Sequence, residues 1–103
     1  MTTPFKQALS ICGLSQTEAA EFLDVRPDTI KSWCADRNPV PKAIWRELGD
    51  LYATMITASE TALELIEEKQ PDEIEISYSG EHGKWPSVRC AMTVEAMIRL
   101  QVD

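Results

Sequence analysis

Histidine is almost missing from this sequence: His82 is the single one in 103 residues. That removes most imidazole-based metal centres. Cysteine is scarce and odd in number, with Cys12, Cys34 and Cys90 far apart and no CxxC pair. Neither a zinc ribbon nor a disulfide framework is expected from such spacing. No run approaches the roughly 20 apolar residues of a membrane span. The opening MTTPFKQ lacks the charged-then-apolar layout of a signal peptide. The length is too small for a barrel or a full dinucleotide-binding sheet. What remains is one small domain, or a domain plus a modest appendage, expected to be soluble and cytoplasmic, with no membrane, metal or cofactor.

Positive charge is also in short supply, since the chain carries a formal net charge of −7. Its distribution matters more than its sum. Residues 1–48 hold six basic side chains (Lys6, Arg26, Lys31, Arg37, Lys42, Arg46) against six acidic ones, so that half is neutral. Residues 49–103 hold four basic against eleven acidic side chains and supply the whole surplus. Between 26 and 46, five basic residues face Asp28 and Asp36 alone. Charge therefore leaves two readings open, ordinary surface variation or a local basic face joined to an acidic half.

The first half reads as short helices with clear punctuation. Thr3-Pro4 is a capping hydroxyl followed by proline at the first helical position. Phe5, Ala8, Leu9 and Cys12 then form one apolar stripe, and Gly13 stops it. Ser15 and Glu18 form a capping box for a second helix expected to bury Ala19, Ala20, Phe22 and Leu23. Asp24 tolerates the left-handed turn that should follow, with Val25 as its plug. A third helix starts at Pro27, with Ile30, Trp33 and Cys34 on its inner face. Pro27, Asp28, Lys31, Ser32 and Ala35 lie on the other, which has no large apolar residue. Arg26 stands at the cap position with no oxygen to offer, so its side chain is free for other contacts. Arg37-Asn38-Pro39-Val40-Pro41 breaks the chain before a fourth helix.

Two helices joined by a tight turn, the second with a polar outer face, is the layout of a helix-turn-helix. The stretch LSQTEAAEFLDVRPDTIKSWCADRNPVP resembles the Cro/repressor-type (Xre-like) DNA-binding domain. The resemblance rests on Leu14-Ser15-Gln16, Ala20, Val25, Thr29-Ile30, Trp33, Arg37 and Pro41 in order, and covers about residues 4–48. The sequence departs from the family pattern at Asp24, where glycine is usual, and at Cys34 and Asp36 after the tryptophan. The resemblance implies that Gln16 holds a backbone phosphate. It places Arg26, Pro27, Asp28, Thr29, Lys31 and Ser32 at the major groove or its rim. It gives Arg37 and Asn38 a phosphate beyond the third helix. Asp28 has two explanations: an acid favoured by the helix dipole, or an acceptor for cytosine N4.

The second half differs in character. From Lys42 to Lys69 there is no proline and one glycine, Gly49, where a bend or break is expected. Ile44, Leu48, Leu51, Met55, Ala58, Ala62 and Leu65 recur in alternating steps of four and three, the spacing of a packed helical seam. Trp45, Tyr52, Ile56, Leu63 and Ile66 run beside it. So wide an apolar arc must be covered on both sides, by a partner subunit or by residues 70–103, and a homodimer is expected. Glu73 to Tyr78 alternates and reads as one half-buried strand. Residues 86–101 read as a helix, with a strand across Val88, Cys90 and Met92 before a shorter helix as the alternative.

The expected architecture is mainly α. A helix-turn-helix domain over 1–48 is followed by a long helix and dimerisation region over 49–103, with a small α+β extension. The expected function is a dimeric, sequence-specific transcriptional regulator, a repressor of an inverted-repeat operator in double-stranded DNA that can include its own promoter. The alternative is an antitoxin-like protein whose acidic half binds a protein partner and whose DNA binding serves autoregulation. An enzyme is not expected. Cys90 and His82 would be its nucleophile and base, and no acid or oxyanion motif accompanies them.

Overall fold

The computed structural model describes residues 2–69 and 85–102. These residues form five helices: α1 (Pro4–Ile11), α2 (Gln16–Leu23), α3 (Pro27–Cys34), α4 (Lys42–Lys69) and α5 (Val88–Gln101).

The three short helices end alike. Beyond α1, Gly13 takes φ 71; its N–H donates to Ser10 O at 3.0 Å and the Leu14 N–H donates to Leu9 O at 2.9 Å. Beyond α2, Asp24 takes φ 55, with Asp24 N–H to Glu21 O at 3.3 Å and Val25 N–H to Ala20 O at 3.0 Å. Beyond α3, Asp36 takes φ 59, with Asp36 N–H to Trp33 O at 3.2 Å and Arg37 N–H to Ser32 O at 3.0 Å. Each is the paired closure that satisfies the last helical carbonyls around one left-handed residue. The side chain after that residue then decides what the turn does. Leu14 is buried and Val25 half-buried, so the first two turns close onto the core. Arg37 is exposed, so the third turn delivers a cation to solvent.

Two helix caps also tie distant segments together. The Thr3 hydroxyl accepts from the Lys6 N–H at 3.3 Å and donates to Cys34 O at 2.8 Å, joining the start of α1 to the end of α3. The Ser87 hydroxyl accepts from the Cys90 N–H at 2.9 Å and donates to Gly13 O at 2.6 Å, joining the start of α5 to the turn after α1. A hydroxyl can do both because its oxygen accepts while its proton donates. Gly13 is required at that junction. A Cβ there would lie 2.6 Å from Cys90 N and 2.7 Å from Arg89 C.

One buried cluster runs through all five helices, including Phe5 and Leu9 of α1, Ile30 and Trp33 of α3, Leu48 and Met55 of α4, and Cys90, Val94 and Ile98 of α5. Phe5 sits edge-on to Trp33 and Trp45, with ring centroids 5.6 and 5.8 Å away. Each fully buried aliphatic side chain contributes about 1.5–3 kcal/mol.

The expected α+β extension is corrected. Among the described residues there is no strand, and Val88–Gln101 is one continuous helix. The alternating apolar residues Val88, Cys90 and Met92 do not form a strand, because Ser87 caps a helix there. Cys90, Ala91, Val94 and Ile98 then fall on one buried helical face. The strand expected over 73–78 lies outside the described residues.

The seam of α4 finds its cover inside the chain. Ile44, Leu48, Leu51 and Met55 are all buried, and Met55 shares its cluster with α5. Leu65, at the far end, is 52% exposed, as are Trp45 and Tyr52 of the second stripe at 39% and 45%. The helix passes through Gly49 without a break. Phe22, expected in the core, is 37% exposed and instead lines a groove with Trp85 and Pro86. Among the described residues, no helix is long and apolar enough to cross a membrane.

Candidate nucleic-acid interface

The outer face of α3 is built by the burial of its inner one. Ile30, Trp33 and Cys34 are buried, which turns Pro27, Asp28, Lys31 and Ala35 outward, all exposed. Arg26 occupies the N-cap with extended backbone and makes no side-chain capping bond. Its guanidinium is exposed beside the first turn. Thr29 is half-buried, at the edge of this face rather than on it. Gln16 is the first residue of α2 and is exposed.

The loop after α3 is folded back onto the helix. Asn38 Nδ2 donates to Ser32 Oγ at 2.6 Å. Because Ser32 accepts there, its own hydroxyl proton is left to be donated elsewhere. Arg37 and Asn38 are both exposed. The structure thus brings Ser32 and Asn38 together, exposes Asp28 and Lys31 on the outer face of α3 with Arg26 at its N-cap, and puts Gln16 at the head of the neighbouring helix.

This face carries the cations Arg26, Lys31 and Arg37 beside the exposed carboxylate of Asp28. Among the described residues the ion pair within 4.0 Å joins Arg99 and Glu95 at 2.9 Å, on α5. Arg26, Lys31 and Arg37 stand in no ion pair with any described carboxylate. A pairing at the surface would be worth little in stability.

Two basic residues missing from the sequence-derived set adjoin this surface. Lys6, Gln16 and Arg89 line one cleft of about 230 Å³, with Ser10 and Ser15. Lys6 also acts on Cys34, drawing the thiol down against burial, which is the larger effect and raises it. The available signal for the helix that carries Arg89 is Ser87, a capping residue ahead of an apolar helical pattern. Nothing local shows that its partner is Gly13, 74 positions away.

The cysteines are chemically quiet. Burial pushes Cys12 up, and burial, with Cys12 adding to it, pushes Cys90 up to about 11. Near neutral pH both are thiols, so Cys90 is not poised as a thiolate nucleophile. His82 lies outside the described residues. Among those described, no group of three His, Cys, Asp or Glu side chains is placed to hold a metal ion.

No family model, curated protein or solved structure matches the chain.

Proposed function

We propose that the chain is a cytoplasmic, sequence-specific DNA-binding transcriptional regulator of the Cro/repressor type, acting as a homodimer on an inverted-repeat operator. The observation that carries this reading is the outer face of α3. It is a short helix with exposed polar side chains, flanked by Arg26, Lys31 and Arg37, which pair with no carboxylate among the described residues. A helix of that width enters the major groove of B-form DNA.

The division of labour follows from side-chain chemistry. Arg37, Asn38 and Gln16 hold phosphates and fix the register of the domain. Arg26, Asp28, Lys31 and Ser32 face base edges, where donors and acceptors differ between base pairs. Pro27 and Thr29 shape the rim. Repression is steric: two copies of α3 occupy successive major grooves and exclude the polymerase.

The buried seam of α4 is not free to join the two copies, so the apolar surface left over carries that role. Ile11, Trp45 and Tyr52 are exposed around an open groove of about 350 Å³ between α1 and α4, floored by Gly49. A second copy of the chain covers it. Tyr52→Glu is expected to give a folded monomer in sedimentation, whereas a variant that stays dimeric moves the interface elsewhere.

The reading is tested by selecting duplexes from a random library with the full chain. An enriched inverted repeat is expected, with half-site centres about 34 Å apart. Its affinity should fall steeply with salt, and Arg37→Ala should weaken all sequences alike. A selection that enriches no sequence overturns the proposal. Affinity confined to a co-purifying basic protein would replace it with the interaction-protein reading.

A further inference from the structure

We infer that Arg89 and Lys6 complete a phosphate-binding cleft around Gln16, so that the C-terminal helix α5 forms part of the DNA-binding surface. The inference rests on the DNA-binding reading and extends it to a helix outside the region of family resemblance.

Four observations place the cleft. First, Lys6, Gln16 and Arg89 come from three different helices yet line the same space of about 230 Å³. Second, all three side chains are exposed, and neither cation is in an ion pair with a described carboxylate. Third, the one acid in the first turn of α2 does not line the cleft, and its Glu18 Oε1 is committed to the Ser15 N–H at 3.0 Å. Fourth, the backbone of Arg89 is held close to Gly13. Ser87 Oγ donates to Gly13 O at 2.6 Å, and the Arg89 carbonyl carbon would lie 2.7 Å from any Cβ at Gly13.

The chemistry fits a phosphodiester. Gln16 offers an amide N–H₂, Lys6 a point charge and Arg89 a planar fork that matches two phosphate oxygens. Gln16 already holds a phosphate in the proposed complex. An anion reaching it enters the field of both cations, in a chain whose total charge would otherwise repel DNA. Docking α5 on Gly13 thereby adds positive charge to a domain that is neutral over its first 48 residues.

The test is the salt dependence of full-length protein binding to its selected duplex and to a scrambled one, between about 50 and 200 mM salt. Arg89→Gln and Lys6→Gln are each expected to reduce the log–log slope by about 0.9. Base preference should stay unchanged, and Arg89→Lys should restore the slope. Arg99→Gln, whose side chain is held by Glu95, should leave it alone. If Arg89→Gln lowers the melting temperature, Lys6→Gln and Arg89→Lys carry the comparison. Slopes equal to the parent in both Lys6→Gln and Arg89→Gln overturn the inference and spare the DNA-binding reading. A parent that binds neither duplex overturns both. Inorganic phosphate shifting the Gln16 and Arg89 side-chain resonances, without any change of slope in the variants, would make the cleft a small-anion site and overturn the inference too.

Discussion

Two glycine-to-alanine changes should move stability in opposite directions. At Gly13 the added methyl meets two penalties. The backbone there is at φ 71, a left-handed conformation that costs an L-residue about 1–2 kcal/mol. The Cβ would also stand 2.6 Å from Cys90 N, 2.7 Å from Arg89 C and 2.8 Å from Arg89 O. All three are backbone atoms of the first turn of α5, so the relief is a shift of the helix, at about 1–3 kcal/mol for overpacking. The Ser87 bond to Gly13 O stretches with it. The sum is about 2–5 kcal/mol, a large part of the 5–15 kcal/mol typical of a domain. At Gly49 the same methyl meets nothing within 4 Å of the single chain and the helix is continuous, so alanine should stabilise the Tyr52→Glu monomer by about 1 kcal/mol. Urea unfolding followed by tryptophan fluorescence reads both midpoints. A Gly13→Ala midpoint within error of the parent would refute the close approach of α5. A destabilised monomeric Gly49→Ala would refute the open groove beside α4.

Asp28→Asn exchanges an acceptor-only carboxylate for an amide that also donates. At one base pair per half-site, preference should move from C·G toward A·T by about 1–3 kcal/mol, read on an operator library. An unchanged profile leaves Asp28 as a helix-dipole residue only. Cys90 gives a pH dependence. Its folded value is raised from the ordinary 9.0 to about 11, so the unfolded chain loses that proton first. Stability is therefore complete below pH 9 and declines through the window up to about 11, by about 1.4 kcal/mol per pH unit for that thiol. Cys90→Ala should decline less over the same window in urea melts. Parallel declines in variant and parent would contradict the burial of that thiol.

What the sequence made legible was local. Thr3-Pro4, the Ser15–Glu18 box and the stops at Gly13 and Asp24 all lie within a few residues of the structure they specify, and each forms there. The periodicity of Ile44 to Met55 showed which face of α4 is buried. It could not show what buries that face, because a heptad step is the same whether the neighbour is α5 or a second subunit. The segment from Val88 to Met92 alternates like a strand over five residues, and only the cap at Ser87 and the burial of Val94 and Ile98 decide for a helix. The α3 surface was readable because its polar face is one turn from its apolar one. The Lys6–Gln16–Arg89 cleft was not, since it exists only once Ser87 has met Gly13.

The most direct measurement is an amide and side-chain chemical-shift map of the full-length protein titrated with its selected duplex. Shifts should concentrate at Gln16, along Arg26 to Ser32, and at Arg37 and Asn38, while Leu65 and Leu100 at the far ends of α4 and α5 stay unmoved. Shifts confined to α4, or no shift at the α3 face at saturating duplex, would contradict the assignment of that face to DNA.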